Sequence, residues 1–324
     1  MEMSALKYPT RHMDARVIRI IVNGRAALDP QLRTAVAQVR ERGHRVEVRV
    51  TWEPGDAQRF AADSAQAGID AIVAAGGDGT LHEVVNGVVA TGEPVTCAIG
   101  VLPLGTANDF ASACGIPTGD LLDALMLIAE GTPMPIDLGT LGERVFVYVA
   151  SGGFGTQVTV ETPLEIKRVL GAAAYFLTGL RHMTDLQPCY AGLVGPEFTW
   201  EGAFYALAVG NGRRAGGGFH ICPRALLDDG LLDVLILPDM PRAQLLTLLG
   251  DLRRGTHLDD PHVVYRRMPW LKIESNELLQ VNLDGEPVHD DAFHFQTLPR
   301  HIQFYLPSTA PLRGKPAVSS EEIR

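Results

Sequence analysis

Lysine is nearly missing from this chain of 324 residues: Lys7, Lys167, Lys272 and Lys315 are the only ones, and arginine supplies the remaining positive charge. The formal net charge is −10, so the bulk field gives no general affinity for nucleic acid or anionic bilayers. Local pairs such as Lys167-Arg168, Arg213-Arg214, Arg253-Arg254 and Arg266-Arg267 read as solvated pairs. Cysteine is sparse as well. Cys97, Cys114, Cys189 and Cys222 show no C-x-x-C spacing and no pairing logic, as expected of buried or incidental thiols in a reducing compartment. No segment reaches the ~18 consecutive apolar residues of a membrane span. Residues 1–15 are polar, lack the apolar core of a signal peptide and are expected to form a loose tail, with Met13 as an alternative start. Internal repeats and low-complexity tracts are also lacking. These absences leave a cytoplasmic protein that meets any lipid from outside the bilayer, peripherally at the inner membrane surface.

What is present is the composition of a soluble globular protein, 46% hydrophobic and 20% charged, on a chain long enough for two moderate cores. Apolar runs at 17–23, 45–52, 69–75 and 96–102 read as strands. Helical spacing separates them at 32–40 (stopped by Gly43), 56–68, 81–89 and 119–129. Alternating strands and helices predict an α/β domain with a parallel doubly wound sheet and ligand loops at the strand C-termini. Past residue 133 strand signals dominate, at 145–150, 156–160, 190–194, 204–209, 231–237, 270–273, 279–283 and 300–306. Only two helical stretches interrupt them, at 163–183 and 242–253. This half is expected to be a mostly antiparallel β-sandwich. The apolar stretch 169–180 is read as a helix packed on that sheet, with an acyl-chain wall as the sharper alternative.

Four loops carry chemistry. Gly76-Gly77-Asp78-Gly79-Thr80 joins a buried strand to a helix, where glycines let the backbone approach an anion and the helix N–H groups point at it. The acid Asp78 is unusual in a phosphate cradle: either a cation joins the phosphates or the carboxylate contacts something else, and a purely topological turn is the bland alternative. In the second loop, 103–110, Gly105 permits close approach, Thr106 can donate to a phosphate, and Asn108 or Asp109 can cap the next helix. The third covers 211–218 and 223–232, where a carboxylate and neighbouring carbonyls suit a hard cation, an Asp-Gly turn being the alternative. The fourth, Leu283-Asp284-Gly285-Glu286-Pro287, sets two carboxylates about a turn glycine. A carboxylate there can accept the proton of a hydroxyl nucleophile during phosphoryl transfer.

Together, Ala75-Gly76-Gly77-Asp78-Gly79-Thr80, the run from Leu102 to Ala111 and Leu283-Asp284-Gly285-Glu286-Pro287 resemble the diacylglycerol kinase catalytic family. The chain is most similar to its YegS-type lipid kinases. Arg49-Val50-Thr51-Trp52-Glu53, Gly152-Gly153-Phe154-Gly155-Thr156, Glu161-Thr162-Pro163 and Leu186-Gln187-Pro188 extend that likeness. The resemblance implies a two-domain lipid kinase with ATP between the domains and a glycerolipid acceptor, phosphatidylglycerol or diacylglycerol, met at a membrane surface. Its nucleotide contacts fall on Thr51, Gly77, Asp78, Gly79, Thr80, Leu81, His82, Glu83 and Thr106. Its metal site, for Mg²⁺ with Ca²⁺ as a substitute, falls on Leu226, Asp229 and Leu231, the leucines through backbone carbonyls. Its proton acceptor falls on Glu286, with Asp284 beside it. His82 stands where the YegS pattern has asparagine. The implied division is a nucleotide domain at 16–136, a β-rich substrate and metal domain at 137–297, a return segment at 298–313 and a disordered tail at 314–324.

Two other functions compete: a small-molecule kinase related to NAD kinase or phosphofructokinase, which share the Gly-Gly-Asp-Gly loop, and a catalytically dead lipid or nucleotide sensor. The first leaves 103–110 and Asp284-Gly285-Glu286 unexplained. Against the second, the acids Asp78, Asp229 and Glu286 are all present.

Overall fold

The computed structural model describes residues 15–92, 96–153, 187–215 and 219–314. The first half runs β1 (Val17–Asn23), α1 (Pro30–Glu41), β2 (Arg45–Thr51), α2 (Asp56–Gln66), β3 (Ala71–Gly76), α3 (Asp78–Val89), β4 (Ala98–Pro103), α4 (Asp109–Ala113) and α5 (Leu121–Glu130). Its strands pair in the order β4-β3-β1-β2, all parallel. β3 and β4 are buried at every residue, as parallel strands covered on both faces must be. Local chemistry sets the helix ends. Asp29 caps α1 by accepting from the Gln31 N–H at 2.8 Å, with Pro30 at the first helical position. Gly43, at φ 95°, turns the chain after α1, and Asp120 accepts from the N–H groups of Leu122 and Asp123 to start α5.

The second half contains β5 (Met134–Leu141), β6 (Arg144–Phe146), β7 (Val149–Gly153), β8 (Cys189–Gly195), β9 (Phe198–Gly210), β10 (Arg214–Ala215), β11 (Phe219–His220), β12 (Leu232–Pro238), α6 (Arg242–Arg254), β13 (Val264–Met268), β14 (Trp270–Leu283) and β15 (Glu286–Phe304). Pairings among these strands are antiparallel, and a second core forms around Phe146, Phe204, Phe293 and Phe295. The expected β-sandwich half is therefore present beside the doubly wound one.

β15 joins the halves. It pairs antiparallel with β14 and β5, and its last two residues, Gln303 and Phe304, pair in parallel with Ala98 and Ile99 of β4. The final strand expected at 300–306 thus begins at Glu286. Alternation is hidden there because His289, Asp290 and Asp291 are exposed before Phe293 and Phe295 turn inward. The strands expected at 270–273 and 279–283 are one, β14, interrupted by a register shift between Glu274 and Leu279. The run expected at 145–150 is two strands, β6 and β7. β5 and β13 were not legible. The strand expected at 156–160, the helix at 163–183 with its apolar stretch, residues 216–218 and the terminal tails lie outside the described residues.

α2 and α3 meet so closely that a Cβ on Gly87 would lie 2.1 Å from the Gln58 carbonyl oxygen. Helix propensity favours alanine over glycine by about 0.8–1.0 kcal/mol. Overpacking against an unyielding backbone carbonyl costs about 1–3 kcal/mol, which is the larger effect. Gly87→Ala is therefore expected to lower the urea midpoint of unfolding; an unchanged or raised midpoint would refute this close packing.

Candidate active site

Two loops at the C-terminal ends of β3 and β4 are joined by direct hydrogen bonds. The Leu104 N–H donates to the Gly76 carbonyl at 2.9 Å. Gly77 and Gly105 lie back to back, and a Cβ on Gly105 would come within 2.3 Å of the Gly77 Cα. Asn108 clamps the second loop internally: its Oδ1 accepts from the Gly105 N–H and its Nδ2 donates to the Gly105 carbonyl, both at 2.9 Å. This cyclic pairing holds Asn108 at φ 49°, in the left-handed region that asparagine tolerates.

Of the alternatives left open for Asp78, a cation or another contact, the structure shows a backbone contact. Its carboxylate accepts from the N–H groups of Asp109 and Phe110, each at 3.1 Å, and so caps α4 from the neighbouring loop. Asn108, the residue at the cap position, makes no side-chain cap, which corrects the expectation for Asn108. Burial pushes the Asp78 carboxyl above the usual carboxylate range; the two N–H donors oppose this, and the charges of Asp109 and Asp284 reinforce it. The N-terminus of α3, by contrast, has no side-chain cap, and Gly79 is exposed with open space around it. Unpaired N–H groups at the start of a twelve-residue helix offer an anion both donors and a favourable dipole. Neither loop, 76–83 or 103–110, contains a lysine or arginine.

The fourth loop reaches the same place from the other half. Asp284 Oδ2 accepts from the Val147 N–H at 2.7 Å, and Oδ1 accepts from those of Tyr148 and Val149 at 3.1 and 2.9 Å. These N–H groups stand in for a cationic partner around a side chain only 5% exposed. His82, on α3 and 202 residues away in sequence, places Nδ1 3.5 Å from Asp284 Oδ2. The neighbouring Asn86 holds the same segment: its Oδ1 accepts from the Val145 N–H at 3.1 Å, and its Nδ2 donates to the carbonyls of Val145 and His82 at 3.0 and 2.9 Å. The buried His82 thus links the halves.

The remaining expected residues are placed as follows. Glu286 is exposed at the first position of β15, directly after the Asp284-Gly285 turn, and Thr106 is exposed on its loop. Thr80 is buried; Glu83 and Thr51 are half-buried, Thr51 at the end of β2. Leu81 is 4% exposed and belongs to the core, so only its backbone faces the loop. Leu226, Asp229 and Leu231 sit in a separate cluster. Asp229 pairs with Arg267 and accepts from the Leu231 N–H at 3.1 Å. Nearby, the fully buried Asp137 accepts from the N–H groups of Gly230 and Arg300 at 2.6 and 2.7 Å, with its carboxyl pushed up by burial. Asp233 pairs with Arg267 and Tyr265, and burial pushes it up to about 6. Among the described residues no group of three or more His, Cys, Asp or Glu side chains forms a metal cluster. The oxygen-only donor set of Asp229 and flanking carbonyls still fits a hard cation, because each carboxylate oxygen makes one hydrogen bond and keeps a lone pair. Asn86, Asp137 and the N–H groups of 147–149 were missed: their partners lie far off in sequence, where no local signal reaches.

Two family models match the chain. The diacylglycerol kinase catalytic domain covers residues 17–141, and the YegS C-terminal NAD kinase beta sandwich-like domain covers 149–306. A protein of Stenotrophomonas maltophilia described as a probable lipid kinase, YegS-like, is 46% identical over 305 residues, spanning 91% of this chain and 98% of its own. One of the same description from Pseudomonas putida is 45% identical over 306 residues, spanning 94% and 100%. The chain belongs to the YegS-type diacylglycerol kinase family. A crystal structure of a diacylglycerol kinase from Bacillus anthracis shares the fold of this YegS-type chain, with a TM-score of 0.76 at 22% identity over 91% of this chain and 99% of that one. Membership identifies the chain as an ATP-dependent kinase of a family that works with a divalent metal.

Two outcomes test this geometry. An amide at residue 284 supplies one acceptor oxygen and sets its own N–H₂ against backbone donors. Hydrogen bonds to a charged group are worth about 1.5–3 kcal/mol, so Asp284→Asn is expected to lose about that stability in chemical denaturation; full stability would show that the carboxylate does not hold the turn. For Asp78 the raised folded-state value means that its stabilising contribution is present below the ordinary carboxylate range and declines as pH rises through that raised value. The advantage of the native protein over Asp78→Asn should therefore narrow as pH rises above the ordinary carboxylate range, measured by thermal unfolding. A widening gap would reverse the assignment.

Proposed function

We propose that this YegS-type kinase transfers the γ-phosphoryl group of ATP to a free hydroxyl of a glycerolipid, phosphatidylglycerol or diacylglycerol, using Mg²⁺. The observation that supports it is the contact between His82 and Asp284, which sets the turn bearing Glu286 beside the helix whose open N-terminus follows the phosphate loop. The backbone of Gly77, Gly79 and Thr80 binds phosphate oxygens, and Thr106 donates from the adjoining loop. Leu81 contributes only its backbone, and Glu83 stands one turn along the helix. Asp78 acts by fixing the two loops against each other. Glu286, solvated and carried on a rigid turn, accepts the proton of the lipid hydroxyl as that oxygen attacks phosphorus; Asp284 holds the turn and does not itself take the proton.

The two loops carry no basic side chain of their own, so a divalent cation travelling with the nucleotide adds positive charge where their backbone N–H groups meet the phosphates. Asp229, with the carbonyls of Leu226 and Leu231, holds a further cation. Asp137, Asp233 and Arg267 are its charged neighbours. The acceptor lipid is met at a membrane surface, and among the described residues no helix is long and apolar enough to cross one.

Incubation with ATP and purified phosphatidylglycerol, diacylglycerol or NAD, followed by mass spectrometry of the products, tests the reading; phosphorylation of NAD alone would overturn it. Glu286→Gln alters an exposed position, so thermal stability should be retained while lipid phosphorylation falls by about 10²–10⁴-fold. Turnover within tenfold of the native rate would remove Glu286 as the proton acceptor.

A further inference from the structure

Trp52 follows the last residue of β2 and is 94% exposed. Its backbone is nonetheless fixed. The buried Asp56 accepts from the Trp52 N–H at 2.7 Å and the Glu53 N–H at 3.1 Å, and the Arg59 guanidinium closes on the same carboxylate. These donors hold the Asp56 carboxyl below its ordinary range, so it is charged and firmly bonded at neutral pH. The neighbouring loop is fitted to this one. Gly24, after β1, packs on the Thr51 carbonyl so closely that a Cβ there would lie 2.7 Å from its oxygen, and the Arg25 N–H donates to Asn23 Oδ1. An indole is thus displayed to solvent on a rigid ledge, the reverse of what burial of a large apolar ring favours.

The sheet order places this ledge relative to the phosphate loops. In β4-β3-β1-β2 the chain moves one way from β1 to β2 and the other way from β1 to β3, so the order reverses between β1 and β3. Open parallel sheets bind ligands at such a reversal, outside the strand C-termini. A nucleotide with its phosphates at the N-terminus of α3 must extend sideways from there. On the β4 side the space is filled by Phe110, 1% exposed, packed against Tyr148 and Phe304 with ring centroids 5.8 and 5.0 Å away. On the other side β1 and β2 follow at about 4.8 Å per strand, with Gly24 and Trp52 the first residues past their ends.

We infer that Trp52 is a stacking platform for the base of the bound nucleotide, which crosses the β1 loop with its phosphates on the β3 loop. The inference rests on the kinase reading above. Stacking on an aromatic face is tolerant of base identity, because every base has a π-face, so adenine and guanine nucleotides should both engage it.

The protein has three tryptophans, Trp52, Trp200 and Trp270. In the full chain with Trp200→Phe and Trp270→Phe, emission reports Trp52 alone. Saturating ATP, ADP or GTP should quench it, while inorganic tripolyphosphate, which has no base, should not. Trp52→Ala should raise KM for ATP by about five- to a hundredfold with kcat at saturating ATP held within twofold, and Trp52→Tyr should restore most of the KM. ATP turnover with native KM in Trp52→Ala, together with silent Trp52 emission at saturating ATP, would overturn the platform and leave the kinase intact. A blue shift on phosphatidylglycerol vesicles without any nucleotide response would overturn it in favour of a membrane contact. If calorimetry finds no ATP binding by the native protein, the kinase reading falls and the platform with it.

Discussion

The Asp284 carboxylate, wrapped by three backbone N–H groups of residues 147–149, is the interaction on which the site's geometry depends. A buried carboxylate without a cationic partner persists only where fixed dipoles replace its water, and here the start of β7 and the residues leading into it supply them. Asp284 itself sits at φ 48°, a conformation that costs energy for a residue with a side chain, so the turn stays bent because the carboxylate is held. Glu286 follows two residues later, and its position is inherited from that bend. The His82 contact and the doubly bonded Asn86–Val145 pair then tie α3 to the same segment.

Charge arithmetic around the phosphate loops points the same way. Acids gather there at Asp78, Asp109 and Asp284, and neither loop brings a lysine or arginine to meet them. Asp78 is suited to its place because its charge is already turned inward onto α4, where two backbone donors absorb it.

Much of this was legible from local pattern. The buried strands β3 and β4, the Gly43 stop and the succession of strand and helix all follow from period and turn chemistry. The glycine turns after β3 and β4 and the acidic Asp284-Gly285-Glu286 turn were legible too. What escaped was everything set by distant partners. The Asp78–Phe110 bond joins two loops with no local signal between them, and 286–299 becomes strand only because Phe293 and Phe295 find the second core. Val48 and Val50 alternate like a half-buried strand, yet both are exposed because β2 is the edge of its sheet. Sequence period reports which face is apolar and says nothing of whether a neighbour covers it.

The long strand β15 closes these contacts into a ring. Its first residue is Glu286, and its last, Phe304, packs on Phe110. The Phe110 N–H is bound by Asp78, which opens α3; α3 carries His82; and His82 meets Asp284, two residues before β15 begins. A displacement of Asp78 therefore has two routes to Glu286, one through α3 and the turn, the other through α4 and the strand. In an open chain of contacts an error at one end dies out along flexible links, whereas in a closed ring each link restrains the next from both sides. That arrangement explains how a solvated carboxylate on a turn can keep a fixed place relative to a glycine loop some two hundred residues earlier.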